Sequence, residues 1–372
     1  MAELFKNVYD GSFICQLSDI IQEFYPEFDS QDFEKQIFDK NWEQKELKER
    51  MRHITYILHR FLTDDYRKDV TILKEVLAQF GKRKIGIKSL ERMIFPDYIE
   101  VYGLEDYVFS VKSLEFITQF FSAEFAVRPF LEKYPELMFP QMLAWSKHEN
   151  EQVRRLSSEG FRPRLPWGKA LKNLKKDPSP ILPVLENLMQ DKSETVRRSV
   201  ANNLNDISKD HPKITLEFAQ RYQGLHPDSD WIIKHACRTL LKKANPTALE
   251  IFGFSNLEKI QIIDLETKTP TVLIGGNLKF SFAFQHYEEQ KVKIRIEYGI
   301  DYLKSNGQHS RKVFKITENS YLSNTIYTFE RQQSFRQMTT RKHYIGIHRL
   351  HLILNGEVMK SIDFEVIAKT GA

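Results

Sequence analysis

DKSETVRRSVANNLNDISKDHP, residues 191–212, decides the fold of most of this chain. Within it Val196, Val200, Leu204 and Ile207 recur at helical spacing and predict one apolar face turned to a core. A related block, HENEQVRRLSSEG, lies upstream, and another, DSDWIIKHACRTL, lies downstream. Arg154 to Arg197 is 43 residues, and Arg197 to Lys234 is 37. Each block trails a more apolar segment: LMFPQMLAWSKH, SPILPVLENLMQ and KITLEFAQRY. Helix pairs at this period are the pattern of HEAT-like repeats, whose units stack because none buries its apolar face alone. Stacking is expected to align the second helices along one surface. Arg154, Arg155, Arg197, Arg198, Asn202, Lys234 and Arg238 would form a row there, suited to evenly spaced phosphates. The competing reading is that these are ordinary solvated helix faces.

Outward from the repeats, KELKERMRHITYILHRFL and DYRKDVTILKEVLAQFG extend the helical pattern towards the N-terminus. Near residue 250 the character changes. TVLI, NLKFSFAFQ, KVKIRIEYG, HRLHLILNG and KSIDFEVIA are short and rich in β-branched or aromatic residues. Gly275-Gly276, Asn306-Gly307 and Asn355-Gly356 punctuate that region as turns. Roughly seven strands in about 115 residues suggest a small immunoglobulin-type sandwich. The expected division is a helical domain over residues 1–250, a connector ANPTALEIFGFSN, and a β domain over residues 257–372.

Hydrophobic content of 41% and charged content of 28% place the chain among soluble globular proteins. The opening MAELFKNVYDGSF lacks the basic start and apolar stretch of a signal peptide, which points to the bacterial cytosol or nucleoid. Cys15 and Cys237 provide neither a disulfide framework nor a zinc spacing, so no metal or cofactor is expected. Charge is unevenly placed. Residues 1–146 carry a net −6, residues 147–243 a net +7 and residues 257–372 a net +5. Basic charge in the second and third portions fits a polyanionic partner.

Three features break this basic row. In RRLSSEGFRPRLPWG, residues 154–168, Arg162 and Arg164 continue the row past a helix end, and Pro163 and Pro166 turn the chain. Trp167, between Pro166 and Gly168, either projects from the loop or fills a gap between helices. Asp206 is an acid on a basic stripe; it either orients neighbouring arginines or meets positive charge on a ligand. Glu124, in SAEFAVRPF, reads most simply as supporting a helix dipole from the first turn.

SAEFAVRPFLEKYPE, VRRLSSEGFRPRLPWG and VRRSVANNLNDISKDHP, in that order, resemble the AlkC-type DNA alkylation repair glycosylases, relatives of the AlkD-type HEAT-repeat enzymes. The resemblance covers about residues 1–250. KVKIRIEYGIDYLKSNG looks like the immunoglobulin-like domain that one branch of the family appends. The resemblance implies a monofunctional glycosylase that removes 3-methyladenine and 3-methylcytosine from double-stranded DNA, without turning the base fully into a deep pocket. It implies that Asp206 is the catalytic carboxylate and Trp167 the pocket aromatic, with Glu124 and Phe125 beside them. Arg154, Arg155, Arg162 and Arg198 fall in segments that hold the DNA backbone. Tyr25 is the expected N-terminal contribution to the pocket. No membrane partner is expected, and the protein is expected to be a monomer.

The chemistry agrees with these residue types. N3-methylation makes the base cationic and weakens its glycosidic bond, so no acid is needed to protonate the leaving group. What remains is to stabilise positive charge on the sugar and to position water, which a fixed carboxylate does. Trp167 can add cation–π attraction to the charged base. In the β domain, SFRQMTTRKHY carries Arg336, Arg341 and Lys342 as an expected second grip on the duplex; the alternative is a domain that only adds stability. A non-catalytic HEAT-like scaffold that binds nucleic acid or protein is the competing reading of the whole chain.

Overall fold

A computed structural model describes residues 4–84, 90–254, 257–338 and 342–368. Sixteen α-helices precede eight strands among those residues. Two compact units emerge, residues 1–215 with 222–236, and residues 216–221 with 237–372. Among the described residues no helix is long and apolar enough to cross a membrane.

In the first unit the expected repeats are present. The second helices are Glu151–Glu159, Glu194–Ile207 and Pro227–Ala236, and each packs on the next. Asn150 caps the first by accepting from the Gln152 N–H, which satisfies one of the four unpaired donors at a helix start. Val196, Val200, Leu204 and Ile207 are all buried, as the spacing predicts. Their helix packs on Glu151–Glu159, which buries Val153 and Leu156, and on Pro227–Ala236, which buries Ile232 and Ile233. Full burial of each such side chain contributes about 1.5–3 kcal/mol. Polar bonds cross the same seams: Asn203 Nδ2 donates to Ser158 O at 2.8 Å, and Asn205 Nδ2 to Ala236 O at 2.8 Å.

The second unit holds two sheets. Its strands are β1 (Ile260–Thr267), β2 (Thr271–Leu273), β3 (Asn277–His286), β4 (Val292–Leu303), β5 (His309–Tyr321), β6 (Tyr327–Ser334), β7 (Gly346–Leu354) and β8 (Glu357–Ile367). One sheet runs β1-β3-β6 and the other β2-β8-β7-β4-β5, antiparallel except for β2 on β8. Phe280, Phe282 and Phe284 of the first sheet join Ile294, Ile296, Leu350, Leu352 and Phe364 of the second in one core. The chain thus has a helical repeat portion followed by an immunoglobulin-like sandwich. Asn355 and Gly356 both have positive φ, 46° and 85°, the geometry of a tight turn between β7 and β8.

Two details differ from expectation. The sandwich has eight strands among the described residues rather than about seven; β5 and β6 are sheet-edge strands with almost no fully buried residues, which weakens their apolar signal. The connector also contains a helix, Pro246–Ile251, capped by the Asn245 side chain, and it belongs to the second unit.

Candidate active site

Helix Glu151–Glu159 ends at Gly160, where a Cβ would lie 2.5 Å from Val127 Cγ1, so only glycine lets the two segments approach. The loop that follows is shaped by Arg128. Its Nη1 donates to Gly160 O and Arg162 O, both at 2.9 Å, and its Nε donates to Lys169 O at 2.8 Å. Burial lowers the Arg128 pKa to about 10, yet the guanidinium stays charged at neutral pH and fixes three carbonyls of one loop. Phe161, Leu165 and Leu171 anchor the loop in the core.

Trp167 is left outside, 61% exposed, with φ +62°. A bulky residue in the left-handed region costs about 1–2 kcal/mol, and such strain persists only where neighbours enforce it. Two neighbours do. Lys48 Nζ donates to Trp167 O at 2.7 Å, and Phe5 meets the indole edge-on at 6.3 Å between centroids. Of the two readings of this Trp, projection rather than gap-filling describes it.

Asp206 sits in the last turn of helix Glu194–Ile207 and is 2% exposed. Its Oδ2 accepts from Arg162 Nε and its Oδ1 from Lys209 Nζ, both at 2.8 Å. Arg162 Nη1 also donates to Glu159 Oε1 at 2.6 Å. Burial opposes the charge on Arg162, but Glu159 and Asp206 together hold its pKa above the ordinary value. A buried carboxylate is thereby fixed in position by two cations. Asp206 is not on an exposed stripe, and this corrects the sequence expectation.

Glu124 precedes helix Val127–Lys133 rather than lying in its first turn. It accepts from Ser122 Oγ at 2.7 Å and pairs with Arg155 Nη1 at 2.8 Å. The ammonium of Lys48 lies 4.0 Å from the ring centroid of neighbouring Phe125. Phe125 and Lys48 together line a cavity of about 490 Å³ with Met51, Arg52, Tyr56 and Phe121. They also line a second one of about 450 Å³ with Arg128, Gly168 and Lys169. Tyr25 lines neither; it borders a separate cavity with Glu27, Thr63, Arg67 and Thr71.

The expected phosphate row divides in two. Arg154 is buried: its Nε and Nη2 bond Asp191, and its Nη1 bonds the His148 and Glu149 carbonyls. Arg197 bonds Asp191 O through Nη1 and pairs with Asp228 at 3.3 Å. The first arginine of each V-R-R therefore staples one repeat to the start of the next, which corrects its assignment to the DNA backbone. Arg162 is corrected likewise, because its guanidinium is committed to Asp206 and Glu159. The second arginines face outward. Arg155 meets Glu124, and Arg198 is exposed with Glu194 as its i,i+4 partner. Arg164 forms a half-exposed fork with Asp210.

Lys234 and Arg238 do not share a helix, because helix Pro227–Ala236 stops and Arg238 begins a new one after Cys237. Asn202 is half-buried beside His235, 3.3 Å from its Nε2. Arg336 and Lys342 are exposed between β6 and β7, and Arg341 lies outside the described residues. Lys48, Arg128 and Phe5, which shape the site, carry no local signal that singles them out.

The fold and sequence can be compared with those of known proteins. A family model described as a DNA alkylation repair enzyme matches residues 116–240, and one described as the YhaZ C-terminal Ig-like domain matches residues 261–368. The chain is 50% identical over 366 residues to the Bacillus subtilis (strain 168) protein YhaZ, covering 98% of this chain and 100% of that one. A solved structure of Pseudomonas fluorescens alkylpurine DNA glycosylase AlkC, bound to DNA containing an abasic site analog, is 34% identical with a TM-score of 0.93. It covers 98% of this chain and 100% of that one. The chain belongs to the AlkC-type DNA alkylation repair family, in the form that carries a C-terminal immunoglobulin-like domain.

Proposed function

We propose that this protein is a monofunctional DNA glycosylase that hydrolyses the N-glycosidic bond of cationic N3-methylated bases, 3-methyladenine and 3-methylcytosine, in double-stranded DNA. The observation that carries the reading is Asp206, a buried carboxylate held by Arg162 and Lys209 in a basic stretch of the chain. As the bond breaks, positive charge develops on the sugar. A carboxylate already fixed in place stabilises that charge without reorganising at the moment of reaction. Glu124, oriented by Ser122 and Arg155, supplies a second acceptor able to hold water. Because the leaving base is already cationic, it departs neutral and needs no general acid.

The exposed indole of Trp167 offers a π-face to that cation, which favours N3-methylated over uncharged bases without turning the base fully out of the helix. Trp167→Ala is expected to slow excision of 3-methyladenine by about 2- to 30-fold, from a cation–π term of about 0.5–2 kcal/mol. Affinity for undamaged duplex should change much less; equal losses in both measurements would make Trp167 structural.

Residues 1–250 carry the chemistry in this reading, and residues 257–372 add a grip on the duplex, the protein working as a monomer in the bacterial cytosol or nucleoid. Arg336→Ala with Lys342→Ala should weaken binding to all duplexes alike. It should also reduce the salt-dependence slope by about one unit for each phosphate no longer neutralised. An unchanged slope refutes the grip.

The direct test is incubation with methylated DNA and chromatography of the released bases. Release of 3-methyladenine and 3-methylcytosine, leaving intact abasic strands, is the expected result. Binding without release would favour the non-catalytic scaffold.

A further inference from the structure

We propose that Lys48 is a positioning residue that holds Trp167 in its projecting conformation, a role that rests on the glycosylase reading above. Lys48 lies in the first turn of helix Leu47–Phe61, where the helix dipole disfavours a cation. The helix does not need it there, since Glu46 and Glu49 already form a capping box. Burial further disfavours the charge and lowers the Lys48 pKa. The side chain nonetheless reaches across 119 positions of sequence to the carbonyl of Trp167, the residue whose backbone is in the left-handed region. On its way the ammonium rests on the face of Phe125.

This arrangement separates the roles of two aromatics. The face of Phe125 is taken by a cation belonging to the protein, so Phe125 seats Lys48. The indole of Trp167 stays exposed to meet the cation of the lesion. Lys48 thus converts an unfavourable loop conformation into a fixed one, and it acts through Trp167 rather than on the substrate.

The test uses the full chain labelled with 5-fluorotryptophan, in which Trp167 is one of 4 tryptophans and is assigned by loss of its 19F signal in Trp167→Phe. Lys48→Met keeps an apolar stem on Phe125 and removes the donor; Lys48→Arg keeps a donor. In Lys48→Met the Trp167 resonance is expected to shift and broaden while the other three stay. In Lys48→Arg it should stay close to its original position. Single-turnover excision of 3-methyladenine should fall in Lys48→Met by no more than the roughly 2- to 30-fold of Trp167→Ala, because the tether acts only through the indole, and recover in part in Lys48→Arg. Affinity for undamaged duplex should be preserved. In a Trp167→Ala background Lys48→Met should cost little more, because the two residues act as one unit. An unmoved Trp167 resonance, or a Lys48→Met loss that persists in full without Trp167, overturns the proposal. If the unaltered protein releases no methylated base, the glycosylase reading fails, and the 19F comparison still decides the tether.

Discussion

Asp206→Asn is expected to slow release of 3-methyladenine by about 100- to 1,000-fold, the usual loss when one preorganised electrostatic partner of a transition state is removed. The change is nearly isosteric, so packing at the end of helix Glu194–Ile207 is kept. Its amide oxygen can still accept from Arg162 or Lys209, and Arg162 retains its bond to Glu159. The variant should therefore fold, with a stability loss of about 1–3 kcal/mol from weakened charge-assisted bonds. Its affinity for undamaged duplex should be close to that of the parent, because Asp206 is buried and contributes no phosphate contact. Excision rate, thermal midpoint and fluorescence anisotropy with duplex separate these effects. A variant that excises at the parental rate would remove Asp206 from the chemistry altogether.

Arg154→Ala should have its effect on stability instead, costing about 3–5 kcal/mol. Arg154 and Asp191 are both nearly fully buried and share two hydrogen bonds. Removing the guanidinium leaves a carboxylate desolvated, with the Ser193 N–H as its one remaining bond among the described residues. Replacing both partners by apolar residues of similar size should recover much of the loss, because no charge is then stranded. Chemical denaturation checks the magnitude. Salt dependence of DNA binding checks the role: a slope that falls on removing Arg154 would return it to the phosphate row.

Helical and strand-rich portions, the repeat, and the turn that carries Trp167 were legible in the sequence because each has a local cause; whether Trp167 projects or fills a gap was not. Periodicity sets the apolar face of Val196, Val200, Leu204 and Ile207, and Pro166 and Gly168 bend the chain around Trp167. The misreadings arise where exposure depends on rotation or on a distant partner. Residues four apart drift by about 40° around a helix. Arg198, Asn202 and Asp206 therefore form a spiral, from 59% side-chain exposure at Arg198, through half-burial, to 3% at Asp206. Reading them as one stripe exposed a residue that the helix turns inward. Nor does the V-R-R pattern say which arginine is buried; Asp191, 37 residues after Arg154, decides that. Lys48 reaches Trp167 across a separation that no local pattern encodes.

The repeat staples also give the helical array a direction in time. Arg154 finds its carboxylate in Asp191, and Arg197 finds one in Asp228, so each repeat borrows an anion from the repeat synthesised after it. A chain growing from the ribosome at about 5–20 residues per second exposes Arg154 for roughly 2–7 s before Asp191 is made. Until then the earlier helix pair lacks the carboxylate with which its buried guanidinium is paired in the folded protein.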